Sequence, residues 1–186
     1  MFEALKQRLW VSEGKVPHLY LDTLGLVTCG VGHMVPSAEA MQEVEMVGGD
    51  EGIVGMDAKV REWAIVKSLK PAMLPSYYAA HTSLRMTPKA IDELQNEDML
   101  GFYNGLCHVF EDFPQLPLPA QEGVMDMAFQ LGVQGLVGKF PKFTQSIHQH
   151  DWETAQKECY RVGIAQWRND LTKALFLQAE QETKGD

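Results

Sequence analysis

Apolar positions at Phe2, Leu5 and Leu9 recur at spacings of three and four and predict an amphipathic helix over residues 1–12. Its last turn places Ser12 and Glu13 on the same face, and Gly14 directly afterwards is a common helix stop. Two apolar runs follow, Leu19-Tyr20-Leu21 and Leu26-Val27-Thr28-Cys29, with Asp22-Thr23-Leu24-Gly25 between them. That pattern predicts a small antiparallel hairpin. If 22 pairs near 26, then 20 pairs near 28, and the alternation of a strand sends Tyr20, Asp22 and Thr28 to one face. Further on, helices are expected over 38–47, broken by the glycines from Gly48 to Gly52, and over 57–69, with Val60, Trp63, Ala64 and Val66 as the apolar side and Pro71 and Pro75 as the end. Thr87-Pro88 opens a long helix reaching about residue 110, because a hydroxyl can cap free amides and proline loses nothing at the first helical position. Residues 112–120, with three prolines, read as a loop, and 121–131 as a helix. An irregular turn over 132–141 then leads to helices near 144–150, 151–163 and 165–180, with the last six residues frayed. The pattern gives an α+β chain that is mostly α.

At 186 residues and 45% hydrophobic content the chain can bury a core, as one domain or two fused lobes. The formal charge of −9, from 25 acidic and 16 basic residues, argues against a nucleic-acid partner, since phosphate binding draws on clustered Lys and Arg. No run approaches the roughly 18 apolar residues that span a bilayer, and the N-terminus lacks the basic, apolar and small-residue sequence of an export signal. Cys29, Cys107 and Cys159 are odd in number and not at metal spacing, so three reduced thiols are expected. The six histidines form no His-Glu-x-x-His pattern, and Gly49-Asp50-Glu51-Gly52 lacks the spacing of a calcium loop, so neither metal nor cofactor is expected.

The chemistry concentrates between Glu13 and His33. A carboxyl at the end of a buried stripe loses hydration, which favours its protonated form and suits a general acid. An ionised aspartate in a polar hairpin is its natural counterpart, since two carboxyls in unlike environments are the pattern of glycoside hydrolysis. A hydroxyl beside them, here Thr28, can hold a water.

The gap-free series Glu13, Tyr20, Asp22-Thr23, Gly25, Thr28, Gly30-x-Gly32-His33 resembles the active-site segment of the T-even phage-type lysozyme family, the phage-type muramidases. A second block over 127–138 and a third over 165–169 (Ala-Gln-Trp-Arg-Asn) resemble that family's far cleft wall and late core helix, in the right order. The resemblance implies a two-lobed lysozyme-like fold within one catalytic domain over 1–186: a small lobe over about 13–86, a linking helix over about 88–110 and a helical lobe over about 111–180. It implies hydrolysis of the β-1,4 bond between N-acetylmuramic acid and N-acetylglucosamine, without a cofactor. Glu13 would be the general acid, Asp22 the ionised partner beneath the sugar, and Thr28 would hold the attacking water with Asp22. Attack opposite the acid would invert the product and need carboxylates roughly 6.5 to 9.5 Å apart. Gln130, Phe129, Met34 and Ser146 would face substrate, His33 and Asp98 would form a structural ion pair, and Trp167 would be core.

The chain departs from the family in the longer stretch after Val35 and in the shifted basic residues Arg168 and Lys173. The resemblance also implies peptidoglycan strands as partner, a monomer, and an immunity protein if the producing cell must survive the activity. Lacking a signal, the protein would be made in the cytoplasm and act in the periplasm of a target cell after delivery by a separate route, as an endolysin or an antibacterial effector. The acidic balance fits direct delivery, because it steers the protein poorly toward anionic walls. A lytic transglycosylase and a non-catalytic wall-binding domain on the same scaffold are the rival expectations.

Overall fold

Helix α1 (Glu3–Glu13) forms where the apolar spacing places it, and Gly14 ends it with a φ of +79°, a conformation open to glycine and strained for other residues. The structure, a computed structural model, describes residues 2–49 and 52–185. Asp50 and Glu51 of the acidic break, and the two terminal residues, lie outside the described residues. Two compact units divide the chain: Lys6–Asp98, and the residues before Lys6 together with everything from Met99 onward.

In the first unit, β1 (Val16–Leu21), β2 (Val27–Gly30) and β3 (His33–Met34) make an antiparallel meander in the order β1-β2-β3. Tyr20 pairs with Thr28 and Leu21 with Val27, the register expected from the turn, and β3 adds Cys29 opposite His33. Asp22 N–H donates to Leu26 O at 3.0 Å and closes the hairpin. The ladder slips between Val16 and Tyr20, so the first half of β1 follows a different phase.

The stretch after the sheet corrects the expected helix over 38–47. Only a 3₁₀ turn, Glu39–Glu43, forms, and Val47 then bridges to Ile53 and Arg85. The buried apolar residues Met41, Val44 and Met46 fall at spacings of three and two, which no single helix face accommodates. Helix α2 (Met56–Lys67) is present, but of the apolar side named from the sequence only Val66 is buried, joined by Lys59 and Glu62 in place of Val60, Trp63 and Ala64. The cause lies in its irregular neighbours, whose backbone groups have no ladder to join. Lys59 Nζ donates to Val44 O at 2.6 Å and to Met41 O at 3.4 Å. The Glu62 carboxylate accepts from Ser83 N–H at 2.7 Å, Ser83 Oγ at 3.0 Å and Leu84 N–H at 3.0 Å. Helix α3 (Pro75–Ala79) was not expected; at five residues it has no periodic window to reveal it.

Helix α4 (Pro88–Val109) starts as expected, with Ala90 N–H donating to Thr87 Oγ1 at 3.1 Å. The division between the units falls inside it. In the second unit, α5 (Leu118–Leu131) begins three residues before the expected start and is buried continuously from Pro119 to Ala128, as befits a central helix. It lies against α9 (Gln166–Lys184), where a Cβ on Gly123 would sit 2.7 Å from the Phe176 ring, so any side chain there would force the ring to move. Around this pair stand α6 (Val133–Lys139), which occupies the stretch read as an irregular turn, α7 (Pro141–His148) and α8 (Trp152–Glu158). α9 runs to Lys184, four residues into the last six that were expected to fray. The architecture is mostly helical with one small antiparallel sheet, the expected class.

A candidate active site in the hairpin unit

Glu13 is the last residue of α1, half-buried, and the left-handed Gly14 turns the chain from it straight into β1. Tyr20, on β1, is half-buried and its phenol is pushed up to about 12, by burial first and then by the neighbouring acidic groups, Glu13 ahead of Cys29 and Asp22.

Asp22 caps its own turn. Its Oδ1 accepts from Leu24 N–H at 2.9 Å and from Leu26 N–H at 2.8 Å, an arrangement typical of aspartate at tight turns. One oxygen is therefore committed to the backbone, which fixes the direction of the other. Thr28, cross-strand from Tyr20, is 4% exposed, and its hydroxyl donates to Leu26 O at 3.1 Å. With the proton spent there, its lone pairs can still accept from a water.

Behind this group, His33 Nδ1 lies 2.9 and 3.0 Å from the two Asp98 carboxylate oxygens, the ion pair that the resemblance implied. The pair ties β3 to α4. Cys29, between the strands and near Asp98, has its thiol pushed up to about 12 by burial and by that carboxylate, so it stays protonated and inert. All three cysteines are free thiols. Met34, on β3 opposite Thr28, is exposed.

The sequence reading missed the surroundings of Glu13. Trp10, one turn back on α1, donates from Nε1 to Gln95 Oε1 at 2.5 Å, and Lys15 Nζ stands 3.2 Å from the centre of its ring. Lys15 also lies 3.4 Å from Asp92. The spacing of three between Trp10 and Glu13 was the available signal, since such residues neighbour each other on a helix.

The other site residues named from the sequence belong to the second unit. Phe129 is half-buried, its ring 5.3 Å from that of Phe102. Gln130 is exposed, with Oε1 accepting from Arg161 Nη1 at 3.1 Å, so the amide N–H groups point away from that contact. Ser146 is buried and its hydroxyl donates to Phe143 O at 2.7 Å within α7. Trp167 corrects an expectation: it is 44% exposed, while the next two residues, Arg168 and Asn169, start the buried face of α9.

That face belongs to a network the sequence did not announce. Arg161, 1% exposed, donates from Nη2 to Asp126 Oδ2 and to Thr172 Oγ1, both at 2.7 Å. Arg168 reaches the other Asp126 oxygen at 3.1 Å, and the Asn169 amide grips both the N–H and the C=O of Arg161 at 3.1 and 3.0 Å. Burial alone would push the Asp126 carboxyl up, but the two guanidinium groups and the Thr172 hydroxyl outweigh it and hold it below its ordinary value. No family model matches this chain, and no curated protein matches it either.

Proposed function

We propose that the chain is a peptidoglycan-cleaving N-acetylmuramidase that cuts the β-1,4 bond between N-acetylmuramic acid and N-acetylglucosamine. One observation carries the reading: Glu13 closes α1 directly before β1, Asp22 caps the β1–β2 turn and Thr28 sits on β2 across the ladder from Tyr20, so all three belong to one hairpin and its entry. In this reading Glu13, at the mouth of the α1–β1 turn, gives its proton to the leaving glycosidic oxygen. Asp22, with Oδ1 tied down, offers its second oxygen as a fixed acceptor. Thr28, its own proton spent on Leu26 O, offers another. A water held by two acceptors has its lone pair directed at the sugar, and attack from that side inverts the anomeric centre.

The test is product analysis of purified peptidoglycan with the native chain and with Glu13→Gln. The native protein is expected to release muropeptides with new reducing ends, first formed as the α-anomer. The variant is expected to lose roughly 10²- to 10⁴-fold in rate, the usual contribution of a general acid. A native chain that releases no muropeptide overturns the reading.

One observation favours a second reading. Thr28 is nearly fully covered and one Asp22 oxygen is occupied, which narrows the room for a nucleophilic water. A lytic transglycosylase needs none, because the muramyl 6-hydroxyl attacks intramolecularly, and its signature in the same experiment is anhydro-muropeptides without reducing ends.

A further inference from the structure

The two amides held by Oδ1 fix Asp22 relative to its own turn, but that cap does not fix the turn itself. A hairpin tip tied only to its own strands is among the more mobile parts of a fold. The segment that follows α2 supplies an anchor from within the same unit.

Three contacts reach the turn from that segment. Ala72 N–H donates to the backbone oxygen of Asp22 at 3.3 Å, and the turn's own Gly25 N–H reaches the same oxygen at 3.1 Å. Lys67 Nζ, from the last residue of α2, donates to Gly25 O at 2.8 Å. The Pro71 side chain lies against Gly25, 3.6 Å from where a Cβ on that glycine would stand.

The corner that makes these contacts is itself held in a strained form. Ala72 has a φ of +58°, in the left-handed region, and a residue other than glycine keeps that conformation only where its surroundings over-determine it. The Tyr78 hydroxyl, on α3, does so by closing the corner on both sides of Pro71-Ala72. It donates to Lys70 O at 2.7 Å and accepts from Met73 N–H at 3.3 Å. Tyr78 is fully buried, and its ring lies 6.4 Å from that of Tyr20, two residues before Asp22 on β1. The ring thus packs beside the sheet while the hydroxyl holds the corner and the corner holds the turn.

We propose that Lys67, Ala72 and Tyr78 are positioning residues for Asp22, and that the segment over 67–78 sets the direction in which its second carboxylate oxygen faces. The proposal rests on the muramidase reading for what that oxygen does. Such a clamp acts on the chemical step and leaves glycan affinity alone, because a reacting group displaced by about 1 Å can cost roughly 100-fold in rate while the sugar contacts stay in place.

Two measurements on Tyr78→Phe and Lys67→Met test it, and one of them is independent of catalysis. Tyr78→Phe keeps the buried ring and removes the hydroxyl, whereas Lys67→Met keeps the stem and removes the donor. In native-state hydrogen exchange the Gly25 and Ala72 amides are expected to lose protection roughly tenfold in both variants, with the amides of β2 and α4 unchanged. On purified peptidoglycan the same variants are expected to lose roughly 10- to 100-fold in kcat with KM within about twofold of native, and Lys67→Arg, which restores a donor, is expected to recover most of the loss. Native protection of both amides in both variants overturns the clamp. Lost protection with native kcat overturns its role in positioning Asp22, as does a loss of rate that Lys67→Arg does not relieve or that is carried by KM alone. If the native chain cuts no peptidoglycan, the muramidase reading falls, and the exchange measurement still decides whether the segment holds the turn.

Discussion

Single side chains in this protein do two jobs at once, and Asp22 shows how to separate them. Its Oδ1 holds two backbone amides, so Asp22→Asn keeps an acceptor for Leu24 and Leu26 but removes the charge, whereas Asp22→Ala removes both. Catalysis by the carboxylate predicts that Asn and Ala lose activity alike, while only Ala lowers stability, by about 1 kcal/mol in chemical unfolding. Asn with native turnover would reduce Asp22 to a turn cap. Asp126 gives a second, purely structural prediction. Its folded-state value lies below its unfolded one, so its contribution is full above the unfolded value near 3.8 and is lost as pH falls through the folded value. Asp126→Asn should destabilise by about 3 to 5 kcal/mol near neutrality, because two buried guanidinium groups lose their charged partner, and should flatten the acid limb of stability against pH. Glu13, Asp22 and Thr28 could be named from the sequence because a helix stop and a tight turn place them locally. Asp126 could not: Arg161 and Thr172 lie 35 and 46 positions away, and nothing in a sequence marks a carboxylate inside an apolar run as paired.

Elements were legible where one period ran long enough. The hairpin register and the start of α4 follow from alternation and from Thr87-Pro88, and both form as expected. Residues 38–47 and the turn at 83–84 were not legible, since Lys59 and Glu62 of α2 satisfy their irregular backbone, a contact no periodicity encodes. That dependence is testable. Glu62→Gln replaces an acceptor-only group with one that must turn an N–H toward Ser83 and Leu84, so a loss of about 1.5 to 3 kcal/mol is expected in urea unfolding. A change under 0.5 kcal/mol, roughly the size of surface substitutions, would show that the 83–84 turn stands without it. In the second unit the corresponding constraint is steric. Gly123→Ala should lose about 1 to 3 kcal/mol by overpacking against Phe176, and much less when Phe176→Leu is already present.

For the whole molecule the decisive quantity is charge. A chain at −9 approaching an anionic envelope is repelled at long range. Under the muramidase reading the consequence is kinetic: association, not the chemical step, carries the penalty, and salt should relieve it, since the screening length shrinks from roughly 30 Å at 0.01 M to about 10 Å at 0.1 M. Exchanging the exposed residues Glu43, Glu45, Asp57 and Glu97 for lysine shifts the charge by two at each position and brings the chain close to neutral without touching any residue assigned to the site. At 0.01 M salt such a variant should lyse cells with exposed walls several-fold faster than the native chain, and the advantage should shrink at 0.15 M. On short soluble muropeptides, which present little field, the two should be equal at both salts. If the advantage persisted undiminished at high salt, or appeared equally on the soluble fragments, long-range repulsion would not be the cause. The acidic surface would then say nothing about how the protein reaches its polymer.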